Sequence, residues 1–133
     1  MLKTFEEFTV ELNGEEEKFV GIIARRFETK RGKENIVTAE QIIEGLATHY
    51  GVRFKESRVR KMIQFIRLNN MVPGLVANSK GYFVTETPEE LENWIASLRS
   101  RENAIRQIRE TAEKQLQLFR IAKASEPQMS LDF

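Results

Sequence analysis

The sequence predicts a mostly α-helical fold with one small β-hairpin, in winged helix-turn-helix order, followed by a long C-terminal helix. Three observations predict it. Helix-start signatures recur at residues 13–16, 38–41 and 87–90, each ahead of apolar residues at helical spacing. Two short apolar runs, Leu75-Val76-Ala77 and Tyr82-Phe83-Val84-Thr85, bracket a polar Asn78-Ser79-Lys80-Gly81. After Pro88 the chain meets no glycine or proline until Pro127.

The first twelve residues read as an extended lead, with Phe8, Val10 and Leu12 alternating. Asn13 then offers an N-cap, with Glu16 three residues on, and a first helix runs to about Thr29 on Phe19, Val20, Ile22, Ile23, Ala24 and Phe27. Glu15, Glu16 and Glu17 suit that helix's N-terminal dipole better than a metal. Gly32 supplies its stop. Ile36-Val37 is long enough for one edge pairing of a small sheet. Thr38 and Gln41 cap a second helix with Ile42, Ile43, Leu46 and Tyr50 on its apolar face, and Gly51 closes it. A turn of five or six residues leads to Ser57 as the N-cap of a third helix, which Asn69-Asn70 ends. Asn78-Ser79-Lys80-Gly81 is a four-residue hairpin turn. Thr87-Pro88-Glu89-Glu90 places cap, N1 proline and N3 acid in the favoured order for a fourth helix of over thirty residues. The expected organisation is a lead over 1–12, a winged-helix domain over 13–86, the long helix over 87–124 and a flexible tail over 125–133.

Composition narrows the function. With 41% hydrophobic and 31% charged residues, the 133-residue chain has the balance of one soluble domain plus an appendage. The absence of cysteine removes disulfides, thiolate zinc sites and cysteine nucleophiles. A single histidine, His49, has no partner for catalysis, and no nucleophile–base pair or phosphate-cradling glycine loop is present, so the chain reads as a non-enzyme without metal or cofactor. No apolar run approaches a membrane span and no signal-peptide core is evident, which fits a cytoplasmic protein.

Charge is unevenly spread. Residues 52–82 hold seven cations (Arg53, Lys55, Arg58, Arg60, Lys61, Arg67, Lys80) against Glu56, a net +6, while the rest carries 14 basic and 19 acidic residues, a net −5. Such a basic third calls for a localised anionic partner, against the plainer alternative of a solvated basic helix face. On a helical wheel of the third helix, Val59, Met62, Ile63 and Ile66 share an arc of about 100° facing the core. Ser57, Arg60, Lys61 and Gln64 lie opposite, Arg67 at the border and Arg58 on the other flank. Arg and Lys neutralise phosphate and fork onto guanine, and Gln pairs with adenine, so this face suits the major groove of double-stranded DNA. Asn78, Ser79 and Lys80 at the hairpin tip suit the backbone beside it, with Gly81 permitting close approach.

Val59-Arg60-Lys61-Met62-Ile63-Gln64-Phe65-Ile66-Arg67, then residues 72–84 ending in Ser79-Lys80-Gly81-Tyr82-Phe83-Val84, then Thr87-Pro88-Glu89-Glu90-Leu91, resemble small bacteriophage and prophage winged-helix proteins. The likeness covers about residues 13–105. It implies DNA binding in phage replication or its regulation, in the host cytoplasm.

In the long helix, Leu91, Ile95, Leu98, Ile105, Ala112, Leu116 and Phe119 follow 4-3 steps interrupted at Glu102 and Arg109. This is a broken heptad seam, which suits a homodimer; the alternative packs only its first turns on the domain. The chain ends Gln128-Met129-Ser130-Leu131-Asp132-Phe133. This resembles the peptide that binds the bacterial sliding clamp, which implies Leu131 and Phe133 as apolar anchors, with Gln128 hydrogen-bonding at the pocket edge and Met129 between them. A second match, Gln115-Leu116-Gln117-Leu118-Phe119, resembles the pentapeptide form, but it continues a helical pattern and binds only if that helix unwinds or ends early. The rival functional reading is a protein-binding winged-helix module: a clamp-binding adaptor or replication inhibitor that never touches DNA.

Overall fold

The computed structural model describes residues 8–125. The chain divides after Glu92 into two units. The first holds three helices and a hairpin: α1 (Gly14–Phe27), α2 (Ala39–Tyr50), α3 (Glu56–Leu68), β1 (Leu75–Asn78) and β2 (Gly81–Val84). Helix α4 (Pro88–Ser125) starts in the first unit and makes up the described part of the second. The order is the winged helix-turn-helix predicted from the sequence.

Several helix ends have a local chemical cause. At α1 the Asn13 side chain accepts from the Glu16 N–H at 2.8 Å, and Glu16 accepts from the Asn13 N–H at 3.0 Å. Thr38 and Gln41 make the same reciprocal pair at α2, at 3.0 and 2.8 Å. Each pair satisfies two backbone donors that a helix N-terminus leaves without intrahelical partners. Gly51 ends α2 in the left-handed region (φ 68°), where a Cβ would be strained. At α3 the Asn69 amide donates to the Phe65 carbonyl at 2.9 Å. At α4 the Glu90 carboxylate accepts from the Glu86 and Thr87 N–H groups, at 2.9 and 3.3 Å.

The core lies where α1, α2, α3 and the hairpin meet. Phe27, Val59, Met62, Ile63, Ile66 and Val84 are its least exposed side chains. The predicted apolar arc of α3 is therefore the inward one, and burying each such side chain stabilises the fold by about 1.5–3 kcal/mol before entropy is counted. The hairpin is antiparallel, with Leu75 opposite Val84 and Asn78 opposite Gly81. The outer edge of β2 is covered by residues 30–37. Val37 and Tyr82 exchange N–H···O bonds of 2.8 Å each, the single edge pairing predicted for Ile36-Val37, and Val84 bridges to Arg31.

Four local expectations are corrected. Phe8 and Thr9 are helical and Val10 is a bend, so the described end of the lead is not a strand. Helix α1 stops at Phe27, and Gly32 caps a following 3-10 turn (Lys33–Asn35) at φ 83°. Helix α3 begins one residue before Ser57, with Lys55 at the cap position. The hairpin turn has two residues, Ser79-Lys80, because Asn78 Oδ1 accepts from the Lys80 and Gly81 N–H groups and draws the strands together up to Asn78 and Gly81.

Candidate nucleic-acid interface

The sequence assigned six side chains of α3 to one outward surface, and the structure divides them. Ser57 is 6% exposed, inside the protein rather than on its face. Arg58 is engaged by the first helix and the lead. Its guanidinium donates to Glu16 Oε1 and Oε2, both at 2.7 Å, and to the carbonyls of Val10 and Glu11 at 2.8 and 2.9 Å. The pair is nearly buried, with side chains 13% (Arg58) and 3% (Glu16) exposed. Hydrogen bonding to Arg58 holds the Glu16 carboxyl below its ordinary pKa against the opposing effect of burial, helped by the Asn13 N–H. The outward placement of Ser57 and Arg58 is thus corrected: a guanidinium whose donors already meet a carboxylate and two carbonyls is not presented to a phosphate.

Arg67 is half-buried, its Cζ 5.7 Å from the Tyr82 ring centroid, where it links α3 to β2. Desolvation lowers its pKa from the ordinary arginine value. It serves the seam between α3 and β2.

The remaining three do face outward. Arg60 is exposed and reaches Glu56 one turn earlier at 3.5 Å, a solvent-screened pair. Lys61 donates to Gln64 Oε1 at 3.3 Å and lies 5.6 Å from the Phe8 ring centroid. Both Lys61 and Gln64 are half-exposed. Asn78, Ser79 and Lys80 are exposed at the wing tip. The Asn78 side chain is occupied in shaping the turn, so Lys80 is the charged contact the tip offers.

Sequence reasoning missed an apolar group on the same helix. Phe65, Leu68 and the following Met71 are exposed, Leu68 at 78%. Their signal was present: Phe65 and Leu68 fall outside the apolar arc of the wheel, so they cannot share the core with Val59 and Ile66.

In the second unit, α4 is one helix of 38 residues, about 57 Å long at 1.5 Å per residue. The seam residues Ile105, Leu116 and Phe119 are exposed, Phe119 at 73%, as is Ile108 beside them. Arg109–Glu113 pairing at 2.8 Å runs along the helix surface. Gln115, Leu116, Leu118 and Phe119 lie within this helix, so the pentapeptide-like match is helical and not extended. Gln128, Met129, Leu131 and Phe133 fall outside the described residues. No helix among the described residues is long and apolar enough to cross a membrane. No family model, curated protein or solved structure matches the chain.

Proposed function

We propose that this protein is a winged-helix DNA-binding protein that acts in DNA replication or its regulation and docks on the bacterial sliding clamp through its C-terminal peptide. One observation carries the DNA reading. Arg60, Lys61 and Gln64 share the outward arc of α3, Lys80 stands at the wing tip that follows, and no carboxylate occurs from residue 57 to residue 85. In this reading α3 enters the major groove with Gln64 toward base edges, and Arg60, Lys61 and Lys80 neutralise phosphates. The exposed seam of α4 supports self-association, which would place two recognition helices on paired half-sites. The tail contributes through its resemblance: Leu131 and Phe133 as anchors, Gln128 at the pocket edge. Both partners place the protein in the bacterial cytoplasm.

A salt series tests the DNA reading. Three phosphate-neutralising cations per protomer give a slope of log affinity against log salt of about −2.7, a loss of roughly fortyfold between 50 and 200 mM. The Arg60→Ala/Lys61→Ala double variant is expected to flatten that slope to about −0.9. Exposed Phe65, Leu68 and Met71 favour the rival protein-binding reading, and absence of binding to any duplex at low salt would overturn the DNA reading and favour that one. For the tail, deletion of residues 128–133 is expected to abolish co-elution with a purified clamp; retained co-elution removes Leu131 and Phe133 as anchors.

A further inference from the structure

Helices α1 and α2 leave between them a groove of about 590 Å³, within the range of small-molecule sites. Its walls include the half-exposed Ile22 of α1 and Ile42 of α2. Arg26 and Lys30, four residues apart, stand on the α1 side and His49 on the α2 side. No Asp or Glu among the described residues lines it, although the chain holds 20. No residue of α3 lines it either, so it is a surface separate from the candidate DNA face.

Gly45 adds an independent observation. It sits in the interior of α2, where glycine costs about 1 kcal/mol relative to alanine. Nothing among the described residues requires it: its backbone is ordinary helix, and a Cβ built there meets none of their atoms within 4 Å. That missing side chain opens onto the groove, where it leaves room for a ligand to approach the α2 backbone.

We propose that this groove binds a small amphipathic organic anion, its apolar body between Ile22 and Ile42 over Gly45 and its anionic head at Arg26 and Lys30. The charge pattern selects this class. An apolar cleft with Arg26 and Lys30 on one wall and no carboxylate among its described lining residues favours an anion over an amine of equal apolar bulk. The proposal does not rest on the DNA reading and stands or falls separately from it.

Titration of the full chain with decanoate, followed by amide NMR, tests it. Saturable shifts are expected at Ile22, Arg26, Gly45 and His49, with decylammonium binding at least about tenfold more weakly. The Gly45→Leu variant fills the groove from a helix-compatible position; it is expected to keep or raise the melting temperature while abolishing those shifts. Arg26→Gln with Lys30→Gln is expected to weaken decanoate about tenfold and leave decanol unchanged. Any of four results overturns the proposal: no saturable shift, shifts confined to the exposed stripe of α4, equal affinity for decanoate and decylammonium, or undiminished binding by Gly45→Leu.

Discussion

Replacement of Glu16 by glutamine is expected to destabilise the first unit by about 3 kcal/mol, the lower end of what is lost when one partner of a buried ion pair is removed. Glutamine is the informative substitution. It keeps the shape of the side chain and an oxygen able to accept the Asn13 N–H, so the capping pair at α1 survives. What disappears is the negative charge beside Arg58, whose side chain is 13% exposed. The Val10 and Glu11 carbonyls still receive the guanidinium, which keeps the loss near 3 rather than 5 kcal/mol. Urea denaturation of the full chain measures it. The double variant Glu16→Gln/Arg58→Met is expected to recover most of the loss, because it leaves no buried charge uncompensated. A Glu16→Gln variant as stable as the parent would show that solvent, not Glu16, neutralises Arg58.

The same pair fixes a pH dependence with a definite sign. The Glu16 carboxyl is held below its ordinary value of 4.5, so the folded state binds its proton more weakly than the unfolded chain does. Its contribution is fully present above that ordinary value and is lost as pH falls through the lower folded value. The stability difference between parent and Glu16→Gln is therefore constant near neutrality and narrows only in acid.

How much of this was legible in the sequence depends on the range of the interaction. The caps at Asn13, Thr38 and Thr87 are local, spanning three residues, and were read correctly. The inward arc of α3 was legible because periodicity alone determines it. The fate of Arg58 was not. A wheel gives a side chain's azimuth, but not what lies over it, and the acceptors here are 42 to 48 residues earlier in the chain. The cue was Glu16 itself, which reads as a cap and turns out to serve as cap and counter-ion together. Ser57 failed similarly: as a cap residue it belongs at a solvent-facing terminus, yet the helix starts at Glu56 and carries it inside. The groove beside Gly45 left only a helix-interior glycine as its trace.

Gly81→Ala is expected to cost about 3 kcal/mol, about 1 kcal/mol more than the same change at Gly74, although both glycines sit at positive φ in or beside the wing. At Gly81 the φ is +147°, and an added Cβ would overlap the Val37 carbonyl oxygen and stand 2.9 Å from its carbonyl carbon. That neighbour is backbone and cannot rotate aside. Relief requires β2 to move off residues 30–37, which breaks the two 2.8 Å hydrogen bonds between Val37 and Tyr82. Backbone strain of about 1–3 kcal/mol adds to about 1 kcal/mol for each lost bond, less whatever strain the movement relieves. At Gly74 (φ +83°) the nearest atom is the Thr85 hydroxyl, a side-chain group that can turn away but then gives up its 3.1 Å hydrogen bond to the Gly74 carbonyl, so Gly74→Ala carries the left-handed penalty of about 1–2 kcal/mol plus about 0.5 kcal/mol for that bond. The comparison bears on function because Lys80 immediately precedes Gly81: a wing released from Val37 no longer holds that ammonium in a fixed place. Thermal and urea melts of the two variants decide it. Equal losses would mean that the edge pairing at Val37 does not hold the wing, and a fixed placement of Lys80 would then have to come from the Asn78 turn alone.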